Sequence, residues 1–424
     1  MPTIAEKILG KKAEKEKAAD PGEIVECEVD YVMVNDITGV PAFDVLKEHG
    51  LEDWIKREKV VVIPDHYVPN KDVASAEQAK ALRNYVRRHG LDHYYEVGRG
   101  GVCHQVMIED GFAAPGRLII GADSHTCTYG ALGAFSTGVG STDAAAAMAT
   151  GRLWFRVPET QKFVINGTLK RYVTGKDIIL HIIGDIGVSG SLYRSQEFYG
   201  TAIEYLCLSD RITISNMAIE AGADAGIIPA DGKVFEFLNE QIRVRGKYKA
   251  VYADGNDEDY EEVFEYDAAE IVPTVAKPFT PDNITPASEL DVPIDQAYLG
   301  SCTNGRIEDL RVAAEILDGR TVNPDVRMIV VPASDKVFQQ AIEEGSIQTF
   351  LKAGAFVCGA TCGACLGGYM GLLAAGERCV STTNRNFIGR MGHKDSEVYL
   401  ASPAVVAASA VKGQIIDPME LEYL

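Results

Sequence analysis

RLIIGADSHTCTYG, residues 117–130, is an apolar run that stops abruptly in a polar turn carrying Asp123, Ser124 and His125. A short apolar run closed by glycine reads as a buried strand, and the polar residues then fall just beyond its carboxyl end. Three other segments follow the same plan. KVVVIPDHY (59–67) ends in Asp65-His66, AYLGSCTNGR (297–306) ends in Cys302, and RMIVVPAS (327–334) ends in a small polar turn. Between such runs lie helical patterns, for example SAEQAKALRNYVRRHG, with a serine cap at one end and a glycine at the other. Strands alternating with helices predict an α/β fold with mostly parallel sheets. In such sheets ligands gather beyond the carboxyl ends of the strands, where these polar residues fall.

With 424 residues the chain is too long for one compact core. The sequence predicts three α/β domains: 1–157, 158–280, and 281–424, the last holding the clustered cysteines. The acidic stretch YADGNDEDYEEVFEYD (252–267) reads as a solvated surface segment, and the proline-rich VPTVAKPFTPDNITPASELDVP after it as an inter-domain linker. ALGAFSTGVGSTDAAAAM matches no phosphate-binding glycine fingerprint and reads as close backbone packing that leads into an alanine-rich helix.

A net charge of −20 argues against binding nucleic acid or an anionic membrane, yet a locally positive pocket for a small anion stays open. The charged start lacks the apolar run of an export signal, and no stretch approaches the ~18 apolar residues of a membrane span. Nine scattered cysteines do not form a disulfide framework. A reducing, cytoplasmic setting is therefore expected, in which clustered thiols mean metal or catalysis.

GATCGACLGG (359–368) sets Cys362 and Cys365 in a C-x-x-C pair among glycines. Structural zinc wants four ligands, and no second pair exists. A thioredoxin-like pair belongs early in a βαβ unit, not near the chain's end. Adding Cys358 gives C-x3-C-x2-C, a radical-enzyme spacing, but that motif precedes a barrel and Cys358 closes an apolar run as a buried structural thiol would. Cys302 is the better third partner. Three thiolates with no evident fourth suit a 4Fe–4S cluster with one iron not ligated by cysteine, which is open to act as a Lewis acid. The glycines are expected to give an inorganic cluster close backbone approach.

GADSHT, SCTNGR, TCGACLGG and NRNFIGR, in this order along the chain, together resemble the aconitase superfamily, and the resemblance covers nearly the whole chain. Within it the chain is most similar to the two-subunit isopropylmalate and homoaconitate branch. The resemblance implies three aconitase-like domains around a 4Fe–4S cluster held by Cys302, Cys362 and Cys365, without the swivelling fourth domain. It implies Asp65 and His66 as the pair protonating a departing hydroxyl. His104, Asp123, His125 and Glu220 are further catalytic groups, and Asn35, Ser124, Asn216, Arg385 and Arg390 contact substrate. Asn216 and Glu220 are expected on one helix face through their i, i+4 spacing, and Thr128 receives no role. Arginine suits the task because its fixed charge can grip a carboxylate through two hydrogen bonds.

The implied activity is that of a hydro-lyase, isomerising 2-isopropylmalate to 3-isopropylmalate in leucine biosynthesis, with homocitrate as the alternative substrate. Either is a small hydroxy-acid with two or three carboxylates. The implied partner is a small subunit of roughly 160–170 residues, single-domain size, that supplies the fourth domain. A cluster-free RNA-binding regulator is a further alternative, disfavoured by the charge.

Overall fold

The computed structural model describes residues 2–423. The chain divides into two compact units. The first runs through Val97 and adds Cys103–Asn166 and Ser191–Tyr266; the second comprises Gly98–Val102, Gly167–Gly190 and everything from Asp267 onward. Each is an α/β body with its own apolar core, as the alternation of apolar runs and helical patterns predicts.

The first unit is organised by a five-stranded parallel sheet. Its spatial order is His93–Tyr94, Val60–Val62, Tyr31–Val34, Leu118–Gly121, Phe135–Gly138. The runs VVV and LIIG are fully buried, which is why they lack the polar alternation of a half-exposed strand. Chain order reverses at Tyr31–Val34: later strands lie on one side in the sequence 60s then 90s, and on the other from residue 118 onward. That reversal opens a crevice beyond the carboxyl ends of the central strands. A second sheet of four strands includes the parallel set Thr160–Asn166, Ser195–Tyr199 and Ala225–Ile227.

The second unit carries a seven-stranded sheet, ordered Ile284–Pro286, Thr274–Ala276, Glu397–Leu400, Arg378–Ser381, Gln296–Leu299, Arg327–Val330, Phe356–Val357. The last five are mutually parallel, and the first two join antiparallel at one edge. Here the order reverses at Gln296–Leu299, directly before Cys302.

Some local expectations need correction. The proline-rich stretch read as a linker contributes Thr274–Ala276 and Ile284–Pro286 to this sheet. The acidic segment is not wholly solvated: Tyr260 is buried and Phe264 stacks on Phe163 in parallel rings 4.8 Å apart. The helix Val73–His89 is capped by Asp72, not by Ser75. Ser75 instead completes the reciprocal capping box, and Gly90 ends the helix in the left-handed region. The glycine-rich run behaves as read: a Cβ on Gly138 would lie 2.6 Å from the Asp123 carbonyl oxygen, and the alanine-rich helix Ser141–Thr150 follows. Among the described residues no helix is long and apolar enough to cross a membrane.

Candidate functional site

In the first unit, three neighbouring strands deliver polar residues to the crevice where strand order reverses. Asn35 and Asp36 follow Tyr31–Val34, Asp65 and His66 follow Val60–Val62, and Asp123 follows Leu118–Gly121. His66 Nδ1 lies 2.6 Å from Asp65 Oδ1, while Asp65 Oδ2 accepts the Cys103 backbone N–H at 2.7 Å. His66 Nε2 faces Asp123 Oδ2 at 3.7 Å. The other Asp123 oxygen lies 3.0 Å from His104 Nε2 and accepts the His125 N–H at 2.8 Å. His104 Nδ1 meets the Tyr129 hydroxyl at 3.0 Å, and His125 Nε2 meets Glu220 Oε1 at 2.8 Å. Ser124 Oγ lies 3.4 Å from His125 Nδ1. Asp65, His66, His104, Asp123, His125 and Glu220 thus form one connected network of imidazoles and carboxylates.

The electrostatics separate the roles of these groups. Burial disfavours a charged His66, but Asp65, then Asp123 and Asp36, outweigh it and push its pKa up to about 10. His66 is therefore a cation at neutral pH, fixed in orientation by Asp65. Burial likewise disfavours the Asp123 carboxylate, yet His104 and His125 hold its pKa well below the usual carboxylate range.

Asn35 and Asn216 sit differently from a pair of free amides. Asn35 Oδ1 accepts from Ile37 N, Thr38 N and Thr38 Oγ1, all at 3.0 Å, so its oxygen shapes the loop and its Nδ2 faces Asp123 at 3.5 Å. Asn216 is fully buried and donates to Thr128 Oγ1 at 2.8 Å, and Thr128 in turn donates to the His125 carbonyl at 2.6 Å. The regular helix ends at Met217, and Glu220 lies in the tighter turn Ala218–Ala221, so the i, i+4 face does not carry through. Asn216 and Glu220 nevertheless converge on His125 and its neighbour.

Sequence reading missed Asp36. Its carboxylate accepts the backbone N–H groups of Asp65, His66 and Tyr67 at 3.0, 2.9 and 2.8 Å. An acid two residues past a strand end, in the turn-forming NDIT, was the available signal. Thr128, given no role, is the link between Asn216 and His125.

In the second unit Ser301 and Asn384 bring Cys302 and Cys365 together beyond the strand where order reverses. Cys302, Cys362 and Cys365 are buried, and none of the nine cysteines forms a disulfide. Ser301, held at a positive φ of 78°, places its hydroxyl 3.7 Å from Cys302 Sγ and 3.4 Å from Cys365 Sγ. The Asn384 side chain spans the same pair, with Nδ2 3.3 Å from Cys302 Sγ and Oδ1 3.5 Å from Cys365 Sγ. A non-glycine residue in the left-handed region is strained, and such strain collects at functional sites.

Cys358 stands apart: its Sγ faces the Val330 carbonyl at 3.7 Å, and burial pushes its pKa up to about 11, as befits a structural thiol. Gly363 and Gly367 let protein atoms approach closely. A Cβ on Gly363 would meet the Tyr298 hydroxyl at 2.9 Å, and one on Gly367 the Arg390 carbonyl at 2.7 Å. Arg385 and Arg390 follow Asn384 on the same loop, and the buried Arg390 Nε makes no hydrogen bond. Cys302 and Cys365, with hydroxyl and amide donors at sulfur distance, and the buried Cys362 beside Cys365 in sequence fit a thiolate-held iron–sulfur cluster, whose sulfur charge such donors stabilise.

The model of the aconitase family (aconitate hydratase) matches residues 6–292 and 285–413. The chain belongs to the aconitase family. A protein from Halothermothrix orenii named 3-isopropylmalate dehydratase large subunit is 53% identical over 420 residues, covering 99% of both chains. One from Pyrococcus abyssi, named 3-isopropylmalate dehydratase large subunit 1, is 54% identical over 422 residues, again 99% of each. Aquifex aeolicus has a 3-isopropylmalate dehydratase large subunit 52% identical over 425 residues, covering 99% of this chain and 97% of that one. The crystal structure of Thermococcus kodakaraensis aconitase X (holo-form) shares the fold at 12% identity and a TM-score of 0.51, over 85% of this chain and 84% of that one. As in its family, the chain is an α/β protein, and membership implies an iron–sulfur cluster.

Proposed function

We propose that the chain is the large subunit of a 3-isopropylmalate dehydratase, a hydro-lyase that isomerises 2-isopropylmalate to 3-isopropylmalate by removing water and adding it back. The observation that carries this reading is identity above 50%, end to end, to relatives bearing that name. Cys302, Cys362 and Cys365 would hold a 4Fe–4S cluster, which when bound supplies a Lewis acid for the substrate's hydroxyl and a carboxylate.

The remaining chemistry falls to the chain's own side chains. His66, kept protonated by Asp65, gives its proton to the departing hydroxyl, and the same pair takes a proton back from water in the reverse step. Asp123 stays ionised between His66 and His104, orienting both rings. His125, buttressed by Glu220, holds the oxygen that leaves and returns, with Ser124 beside it. Asn216 acts through Thr128 to fix the His125 backbone, and Asn35 steadies Asp123 through its amide. Arg385 and Arg390 grip substrate carboxylates, for which the unpaired Arg390 Nε is a ready donor.

The name large subunit, carried by the relatives, implies a second chain. That small subunit supplies the base for the carbon-bound proton and the contacts that select the isopropyl group. The test is an anaerobic assay of the reconstituted chain with its small subunit, offered 2-isopropylmalate and homocitrate separately. Turnover of 2-isopropylmalate supports the reading. Turnover of homocitrate alone replaces the substrate, and turnover of neither sinks the enzyme assignment.

A further inference from the structure

Lys176 is a buried charge that none of the chemistry above uses. It lies in VTGKDIIL, in the first turn of the helix Gly175–Ile186, whose cap is the Thr174–Asp177 box. Two physical effects oppose a lysine there. The helix N-terminus carries partial positive charge, and the side chain is 0% exposed, a burial lysine almost never accepts without a counter-charge. Its Nζ donates to the carbonyls of Thr382 and Thr383 at 2.8 and 2.6 Å. Both acceptors are neutral, so hydrogen bonding is satisfied while the charge is not.

The place those bonds reach is informative. Thr382 and Thr383 directly precede Asn384, whose side chain touches Cys302 and Cys365. The Thr382 carbonyl also accepts the Thr303 hydroxyl at 2.6 Å, and the Thr382 hydroxyl meets the Gly300 N–H at 2.9 Å. The ammonium therefore pins the segment that leads into Asn384 and the two arginines, and Thr303 and Gly300 join that segment to the loop that bears Cys302. Burial pushes its pKa down to about 7, and the negative groups that oppose this are Cys365, Cys302, Asp177 and Asp309. Of these, Asp177 is committed to Thr174 and the Thr274 N–H, and Asp309 to Asn304 and the Arg306 N–H. Those donors are neutral and leave both carboxylates charged, so the thiols share the balancing of the buried amine with them.

We propose that Lys176 is a positioning residue for the thiolate site, a buried counter-cation that favours the cluster-loaded state and braces the loops around it. The inference rests on Cys302, Cys362 and Cys365 being the ligands. An outer partner that both orients and electrostatically supports metal ligands typically contributes 10–100-fold in affinity.

The test uses the full chain, reconstituted anaerobically, as wild type, Lys176→Met and Lys176→Gln. Three quantities are read: iron released to a chelator over time, the cluster's midpoint potential, and the melting temperature of the iron-free chain. Both neutral variants should release iron roughly 10- to 100-fold faster, and their potential should move to more negative values, because a positive charge no longer offsets the added electron. The iron-free Lys176→Met chain should melt close to wild type, since the cost of burying the amine is removed along with its two hydrogen bonds. Wild-type iron retention with an unmoved potential in both variants overturns the proposal. So does failure of both to fold, which makes the lysine a structural pin. A wild-type chain that takes up no cluster overturns the cysteine assignment instead, and the Lys176 role falls with it.

Discussion

Replacing Asp65 by asparagine should lower the pKa of His66 without dismantling the loop. Asparagine keeps an acceptor for the Cys103 N–H, now 2.7 Å away, and removes only the charge. At the 2.6 Å contact of Nδ1 with Oδ1, unit charges at an effective dielectric near 20 interact by about 6 kcal/mol, an upper bound of about 5 pKa units. Carboxylate neighbours at contact distance account for about 1–3 units in practice. Asp123, 3.7 Å from Nε2, and Asp36, 4.0 Å from Nδ1, remain and keep the fall incomplete. His66 should therefore move from about 10 to between roughly 7 and 9.

The sign of the linkage follows from the direction of the shift. A folded-state pKa raised above the ordinary imidazole value stabilises the fold fully below the unfolded value of about 6.5. That contribution is lost as pH rises through the folded value, about 10 in the wild type. The assay is histidine-selective NMR of the ring resonances across this range, with His66→Asn to assign the signal. In activity assays with the small subunit, the basic limb of the rate profile should shift downward by the same interval. An unchanged midpoint in Asp65→Asn would refute the claim that this carboxylate holds the proton on His66.

Asp36→Ala strips the acceptor from three backbone N–H groups of the Asp65–Tyr67 turn. At about 1–3 kcal/mol per unsatisfied buried group, it should destabilise the first unit by about 3 kcal/mol or more, seen in denaturant melts. Asp36→Asn, which keeps an oxygen, should cost less. Arg390→Lys retains the charge but loses the fork and the buried Nε donor. It should raise KM for substrate by roughly ten-fold or more, the worth of a charge-assisted hydrogen bond, while the brown chromophore stays intact. Cys302→Ser and Cys365→Ser should abolish that chromophore, whereas Cys358→Ser, at a thiol turned to the Val330 carbonyl, should keep it; visible absorption after reconstitution distinguishes the three.

Strands announced themselves because VVV and LIIG are buried on both faces and cannot hide a polar residue. Asp65, His66, Asp123 and His125 were equally legible, since they lie two to four residues past such strands, whereas His104 and Glu220 follow none and rest on motif resemblance alone. What the sequence concealed depends on contacts between distant segments. Thr274–Ala276 looks like linker because prolines surround it, yet it pairs with residue 400 at the sheet edge. Asp36 and Lys176 gain meaning only from backbone atoms 29 to 207 residues away. Glu220 shows the same limit locally: its helix tightens after Met217, a change that the i, i+4 pattern does not carry.

The central claim is that three cysteines hold a cluster whose fourth iron is left for substrate. Mössbauer spectroscopy of the wild-type chain, reconstituted with iron-57 and joined to its small subunit, addresses it directly. The account predicts one iron site in four whose signal changes when 2-isopropylmalate is added, while the other three stay as they were. Four iron sites indifferent to the substrate would contradict it.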